Sequence, residues 1–242
     1  MFLLAAQFLG IGVVAPLYFG LHYASSQIGN FKALDHRLTN LAYTRTILPV
    51  MVFGYYAPHF IAYFASSLSV RYQAISIWQL FPVWLCSLQS IFAKTIIPAT
   101  IKKDRIHAPL RDLPIIRYTI GSLTLLSGVV WIYTVVMSPF SLRSIFVPQW
   151  DYSHTNWVDC TRNVLQYDSI FCWMSVILWL VYLFMDLKHA GMVTQTWPKI
   201  LVAVGLVVVC FGPGAMLGLG WLWREEIFAT RRHKSAVVGE RC

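Results

Sequence analysis

QYDSIFCWMSVILWLVYLFMDLKHAGM, residues 166–192, is the stretch from which the rest of the chain is read. Between Asp168 and Asp186 lie seventeen residues without a charge, enough for a short membrane span. The two acids are eighteen residues apart, about five turns at 3.6 residues per turn, so they share one helix face about 27 Å apart. Cys172, Ser175, Trp179 and Tyr182 fall on that face between them, while Ile170, Phe171, Val176, Ile177, Leu178, Leu180, Val181 and Leu183 cover the others. In lipid a polar stripe of this kind turns inward, because an unpaired polar group facing hydrocarbon costs several kcal/mol. Two readings follow. The acids either mark the ends of a span or stand at the mouths of a pocket.

The composition agrees with a membrane setting. The 242 residues are 57% hydrophobic and 12% charged, with mean hydropathy +0.60, against about a quarter charged in a soluble domain. The expected fold is an all-α integral membrane helical bundle forming one domain over 1–242. The net charge of +9 is read as cytoplasmic loop charge near anionic headgroups, not as a nucleic-acid surface. The five cysteines form no CxxC or Cys/His cluster, so neither a disulfide framework nor a zinc site is indicated, and no Asn-x-Ser/Thr sequon occurs.

Six spans are expected, at about 1–24, 46–66, 74–97, 115–137, 168–186 and 200–223, with a basic tail over 224–242. The first has no basic leader and reads as a retained helix, with Gln7, Tyr18 and His22 roughly on one side. The chain starts abruptly within it, which leaves room for a preceding segment. Residues 25–45 form a polar loop containing LDHRLTN. In the second span Pro49 and Pro58 break regularity, and Tyr55, Tyr56, His59 and Tyr63 share a face. Gln79, Pro82, Cys86, Gln89 and Ser90 form the polar stripe of the third. Residues 98–117 carry Lys102, Lys103, Arg105, Arg111 and Arg117 and face the cytoplasm by the positive-inside rule. Residues 138–165 are too polar to span and cap the lumenal side. Gly212-Pro213-Gly214 breaks the last stretch. A re-entrant hairpin there would return the basic tail to the cytoplasmic side, whereas six simple spans would not.

No phosphate-cradling Gly loop, Ser-His-Asp spacing, HExxH or clustered magnesium carboxylates are present, and neither paired midplane charges nor a duplicated half suggests a transporter. What remains is isolated acids beside aromatic rings in an apolar setting. A protonated buried acid is a general acid, aromatic faces stabilise a developing carbocation, and a dry cavity protects that cation from water.

The runs WQLFPVW (78–84), RIHAPLRDLPIIRYT (105–119), QYDSIFCW with LVYLFMDLKHAGM, and GPGAMLGLGWLWREEIFATRRHKSAVV (212–238) resemble a family of fungal secondary-metabolite membrane proteins, the membrane-bound terpene cyclases of the ascofuranone and ascochlorin type. The resemblance covers most of the chain. It implies metal-free cyclisation of an epoxidised farnesyl chain on an aromatic or polyketide head in meroterpenoid biosynthesis, in the endoplasmic reticulum membrane. It carries no catalytic residue to this sequence. The Trp-Glu motif of the other fungal meroterpenoid cyclases is absent.

Site candidates therefore rest on physical grounds. For proton transfer they are Asp168 first, then Glu225 or Glu226, with Asp186 read as neutralised by Lys188 and His189, and His59 as a base. For substrate binding they are Trp179, Tyr182, Trp221, Tyr55 and Gln79. No cofactor or metal is expected. The expected partners are a lipophilic prenylated substrate, membrane lipid and other pathway enzymes, with no nucleic acid. The alternative is a non-enzymatic membrane carrier or scaffold of a biosynthetic pathway, in which the acids only set topology.

Overall fold

The computed structural model describes residues 2–26, 39–95, 110–149 and 156–230. Lys32, Asp35, His36 and Arg37 of the polar loop, the basic cluster Lys102, Lys103 and Arg105, and tail residues Arg231, Arg232 and Lys234 lie outside them. Among the described residues every regular element is helical: α1 (Phe2–Leu9), α2 (Ile11–Ser25), α3 (Leu41–Met51), a π-helical turn (Val52–Tyr56), α4 (Ala57–Phe64), α5 (Leu68–Gln79), α6 (Phe81–Thr95), α7 (Leu113–Met137), α8 (Leu142–Phe146), α9 (Trp157–His189) and α10 (Trp197–Thr230).

Among the described residues four helices are long and apolar enough to cross a membrane: the continuous run Leu41–Phe64, then α7, α9 and α10; α5 with α6 makes a fifth if that bent pair is one span. This is fewer than the six spans expected. The first stretch, read as one span over 1–24, is two shorter helices parted at Gly10, whose φ of 87° is a left-handed conformation open to glycine. The third is bent by 67° around Leu80, so Gln79 ends one helix while Pro82, Cys86 and Gln89 belong to the next, and the expected polar stripe is not continuous.

The chain divides into two compact units, residues 1–32 with 120–242, and residues 33–119. In the second unit α3 packs on α6 and α4 on α5. Asn40 caps α3 by accepting from Ala42 N at 3.2 Å. Just before it, Thr39 donates N–H (2.9 Å) and Oγ1–H (3.0 Å) to Oδ2 of Asp112, which is fully buried. The π turn lies between Pro49 and Pro58, where prolines have removed backbone donors from the α-helical ladder.

The first unit is organised on α9. Asn156 caps its start by accepting from Val158 N at 3.1 Å, and Asp159 in the first turn and Lys188 and His189 in the last match the helix dipole. Its end is a Schellman turn. Gly191 (φ 72°) lets Met192 N reach Leu187 O at 2.9 Å, and the side chains of Met192 and Leu187 meet in the core. The helix begins eleven residues before Asp168, in what reads from sequence as a non-spanning segment. Likewise residues 224–230, assigned to the tail, are the last turns of α10.

α10 is folded back on itself at Gly212 (φ 83°, ψ 166°). Trp197 and Trp223 line one cavity together with Ile200, Val204, Met216 and Gly220, although a straight helix would hold those tryptophans about 39 Å apart. The first arm runs back along α9 from Lys188, whose ammonium lies 5.9 Å from the Trp197 ring, to Val208 beside Ile177. The second returns with α9, bringing Trp221 onto Trp179 and Trp223 onto Phe184. The Gly-Pro-Gly break is thus a helical hairpin, closed against α7, where Trp131 Nε1 donates to Val209 O at 3.2 Å.

Candidate functional site

α9 works through two faces. The stripe from Asp168 to Asp186 meets α2, which runs parallel to it. At one end Asp168 accepts from Gly12 N at 2.6 Å and Ile11 N at 3.3 Å, supplying the acceptors that the first turn of α2 lacks after the break at Gly10. The approach is close. A Cβ on Gly12 would stand 2.6 Å from the Asp168 carbonyl oxygen and 2.9 Å from its Cα. At the other end Tyr23 donates its hydroxyl to Asp186 Oδ1 at 3.2 Å and its ring lies 5.3 Å from that of Tyr182. Lys188, expected to neutralise Asp186, donates instead to the Gln195 carbonyl.

Between these ends the stripe opens into an aromatic cluster. Trp179 stacks on Trp221 (centroids 5.4 Å apart, planes at 15°), with Phe19 at 4.9 Å and His22 edge-on at 5.2 Å. Trp179 Nε1, which can only donate, lies 3.3 Å from His22 Nδ1, so that nitrogen accepts. Behind Trp221 the Arg224 guanidinium lies 4.8 Å from its ring centre and 4.6 Å from that of Phe228. Arg224 Nη1 also reaches Glu225 Oε1 at 3.3 Å, and both residues are buried. Trp221, Glu225 and Phe228 are spaced i, i+4, i+7, one face of the returning arm of α10.

The opposite face of α9 lines open space. Arg162, Gln166, Ser169, Trp173 and Ile177 form its wall of a cavity of about 880 Å³ shared with α7, α8 and α10. Ile177 is common to this cavity and to a smaller apolar one of about 290 Å³ between α9 and the two arms of α10.

Of the residues expected from sequence, Trp179, Tyr182, Trp221, Glu225 and Asp186 come together along α9 and the second arm of α10. Asp168 sits about three turns of α9 before Trp179, engaged with α2. Glu226, on the Leu222 side of its helix, is half-buried, and its carbonyl accepts from Thr230 Oγ1 at 2.7 Å. His59 and Tyr55 belong to the second unit, stacked on each other at 5.7 Å, with Tyr63 5.0 Å and Trp78 5.5 Å from the His59 ring. Gln79 is exposed at the bend of that unit. Sequence reasoning gave no role to His22, Arg162, Gln166 or Trp173, and took Arg224 as a salt-bridge partner of the neighbouring glutamates, which it is for Glu225. The i, i+4, i+7, i+11 spacing of Arg162, Gln166, Ser169 and Trp173 was the available signal, hidden because the span was started at Asp168.

The chain belongs to the CtvD-domain family, whose model matches residues 1–229. It is 38% identical over 241 residues to the FAD-dependent monooxygenase verC1 of Penicillium polonicum, covering 99% of this chain and 30% of that protein. To the FAD-dependent monooxygenase anuJ of Penicillium roqueforti it is 41% identical over 231 residues, 95% of this chain and 28% of that one. To the FAD-dependent monooxygenase BOA8 of Botryotinia fuckeliana it is 31% identical over 249 residues, 95% of this chain and 30% of that one. The chain therefore spans about three tenths of the length of the curated relatives it matches. No solved structure matches it.

Proposed function

We propose that this CtvD-domain chain is a membrane cyclase that opens an epoxide on a lipophilic prenyl chain by acid and folds the resulting cation into a ring. The observation that carries the reading is the buried Glu225 on the same helix face as Trp221, with Trp179 stacked beyond it and Arg224 on its carboxyl. Arg224 engages Oε1, so the donated proton is carried on Oε2, from which Glu225 gives it to the epoxide oxygen as the C–O bond breaks. The hydrogen bond from Arg224 steadies the carboxylate left behind. Alkene π electrons capture the cation over the faces of Trp179 and Trp221. The final C–H proton returns to Glu225, so the reaction is an isomerisation and the acid is regenerated. Tyr182 and Asp186 close the Tyr23 side of the cluster.

The relatives' names bring in a flavin. The residues here do not fit one. A dinucleotide pyrophosphate is held behind a strand at a Gly-rich turn opening a helix, whereas the described elements are all helices, and the G-x-G-x-x-A string at Gly10 to Ala15 follows helix α1 and gives its Ile11 and Gly12 N–H groups to Asp168. We assign flavin chemistry to the part of the longer relatives beyond this match. A monooxygenase inserting one oxygen atom into an alkene makes the epoxide that an acid can open, so the two activities follow one another chemically. Those names also favour a second reading, a non-enzymatic membrane domain that holds a lipophilic substrate for a monooxygenase. A microsome assay separates the two. The chain, expressed in yeast and given farnesyl phenols with a terminal epoxide, should yield an isomer of unchanged mass and shifted retention. Glu225→Gln should abolish it while the protein still accumulates in the membrane. Wild-type turnover by Glu225→Gln ends the assignment of the acid, and no protein-dependent isomer from any head group leaves the carrier reading.

A further inference from the structure

The larger cavity is open along its flank. Trp157, Val158, Leu165, Ile170 and Met174 of α9 wall it and are also exposed. Trp131, stacked on Phe146 at 4.9 Å, belongs to the wall that α7 and α8 supply. At the end nearest the start of α9 stand Trp157 and an ion pair. Arg162 gives Nη2 to Asp159 Oδ1 at 3.0 Å, and 35% and 33% of the two side chains are exposed. A guanidinium has further N–H donors and a carboxylate a second oxygen. The mouth of an apolar cavity thus carries an accessible cation beside an accessible anion.

The length of α9 sets the depth of that mouth. A hydrocarbon core of about 30 Å takes about twenty helical residues. Counted from Leu165, one turn after Arg162, those residues end at Met185, so Asp186, Lys188 and His189 meet the opposite headgroup layer. Asp159 and Arg162 then lie among headgroups on their own side, with Trp157 in the aromatic belt. From Leu165 to Met174 the exposed wall descends about 14 Å, close to the depth of one leaflet. Over that depth the flank of the cavity opens onto acyl chains, not water.

We propose that this cavity is a binding site for one zwitterionic phospholipid. Its phosphate accepts from the accessible Nη groups of Arg162, its ammonium faces Asp159 and the exposed ring of Trp157, and one acyl chain runs past Leu165, Ile170 and Met174 to Ile177. The Arg162–Asp159 pair decides the head group. An anionic head finds Asp159 beside its cation, whereas a phosphate linked to an ammonium meets a partner for each charge. The acyl chain ends beside Ile177, which also lines the smaller apolar cavity. The site stands on the cavity and the ion pair, whether or not the chain turns over an epoxide.

The test is photolabelling of the full chain in nanodiscs of equal parts phosphatidylcholine and phosphatidylglycerol. A trace of either lipid carries a diazirine midway along one acyl chain, and labelled positions are mapped by peptide mass spectrometry. The phosphatidylcholine probe should label residues 165–177 about fivefold more than the phosphatidylglycerol probe, the effect of one charge-assisted contact at a partly exposed site. Both probes should label Leu125, Val129 and Val136 of α7 equally, because these exposed residues lie outside the cavity and report ordinary surrounding lipid. Arg162→Gln should bring the labelling ratio at 165–177 down to that of α7. The two probes differ only in the head group, so the wild-type comparison holds even if the variant fails to fold. Equal labelling of 165–177 by both probes overturns the proposal. So does a preference for phosphatidylcholine that survives intact in a folded Arg162→Gln protein.

Discussion

Removing the carboxyl of Asp168 should weaken the protein without stopping its chemistry. The residue heads the polar stripe of α9 and is the first candidate for a proton donor, yet both of its oxygens face backbone N–H groups of α2, Gly12 at 2.6 Å and Ile11 at 3.3 Å. Asp168→Ala leaves those two donors without an acceptor at a helix start. Loss of such a cap costs about 2 kcal/mol at the upper end of the measured range, the end that a low-dielectric setting favours. For a chain of this size that is a fall of roughly 4–8 °C in melting temperature. Asp168→Asn keeps Oδ1 for the short bond to Gly12 and loses only the longer one to Ile11, so about 1 kcal/mol or less is expected. Cys172 offers the assay. It is half-buried one turn further along the same stripe, and a thiol-reactive dye reports when that stripe separates from α2 on heating detergent-purified protein. Turnover per folded molecule should be unchanged in both variants. If Asp168→Asn melts like wild type and yet produces no cyclised isomer, the carboxyl itself does chemistry and the capping argument is wrong. If Asp168→Ala melts like wild type, the two hydrogen bonds do not hold α2.

Two further outcomes follow from the glycine and tyrosine geometry. Gly212→Ala should prevent accumulation of folded protein, because its Cβ would lie 2.6 Å from Trp131 Cδ2 at a φ of +83°, whereas Gly205→Ala, with nothing within 4 Å, should be neutral or slightly stabilising by thermal shift. Tyr23→Phe removes one hydroxyl donor from Asp186 and should lower stability by about 1 kcal/mol, read in the same dye assay.

The helical membrane character was legible because it rests on composition and run length, which survive any detail of packing. The breaks were legible only where residue chemistry forces them. Gly212-Pro213-Gly214 was read as a break open to either a re-entrant hairpin or a simple span, and the two arms of α10 fold together there. The break at Gly10 was not seen, because one glycine in an apolar run is ambiguous. What makes it a helix end is an acceptor 156 residues away in sequence, at Asp168. The bend at Leu80 has a local breaker in Pro82, two residues on at the start of α6, which was read only as part of a polar stripe. The buried Asp112 looked like one more loop charge, since nothing near it in sequence shows that its partner is Thr39.

Periodicity states which residues share a helix face, not what that face meets. The stripe from Asp168 to Asp186 was grouped correctly, and Trp179, Tyr182 and Trp221 do gather. But whether the face walled a pocket was left open, and along most of its length it is the contact with α2, made close by Gly12 and Ala15. The open space lies on the face judged merely greasy, where Ile177 and Leu180 follow Trp173. A polar stripe in lipid must turn inward, and both a helix partner and a cavity satisfy that demand. The two differ in where their polar groups find partners. A packed stripe is satisfied from the helix it meets, as Asp168 is by Gly12 and Asp186 by Tyr23. Along the cavity wall Gln166 instead bonds the Ser144 and Ile145 carbonyls of α8. Partners distant in sequence, which no local pattern displays, are what separate the two faces of α9.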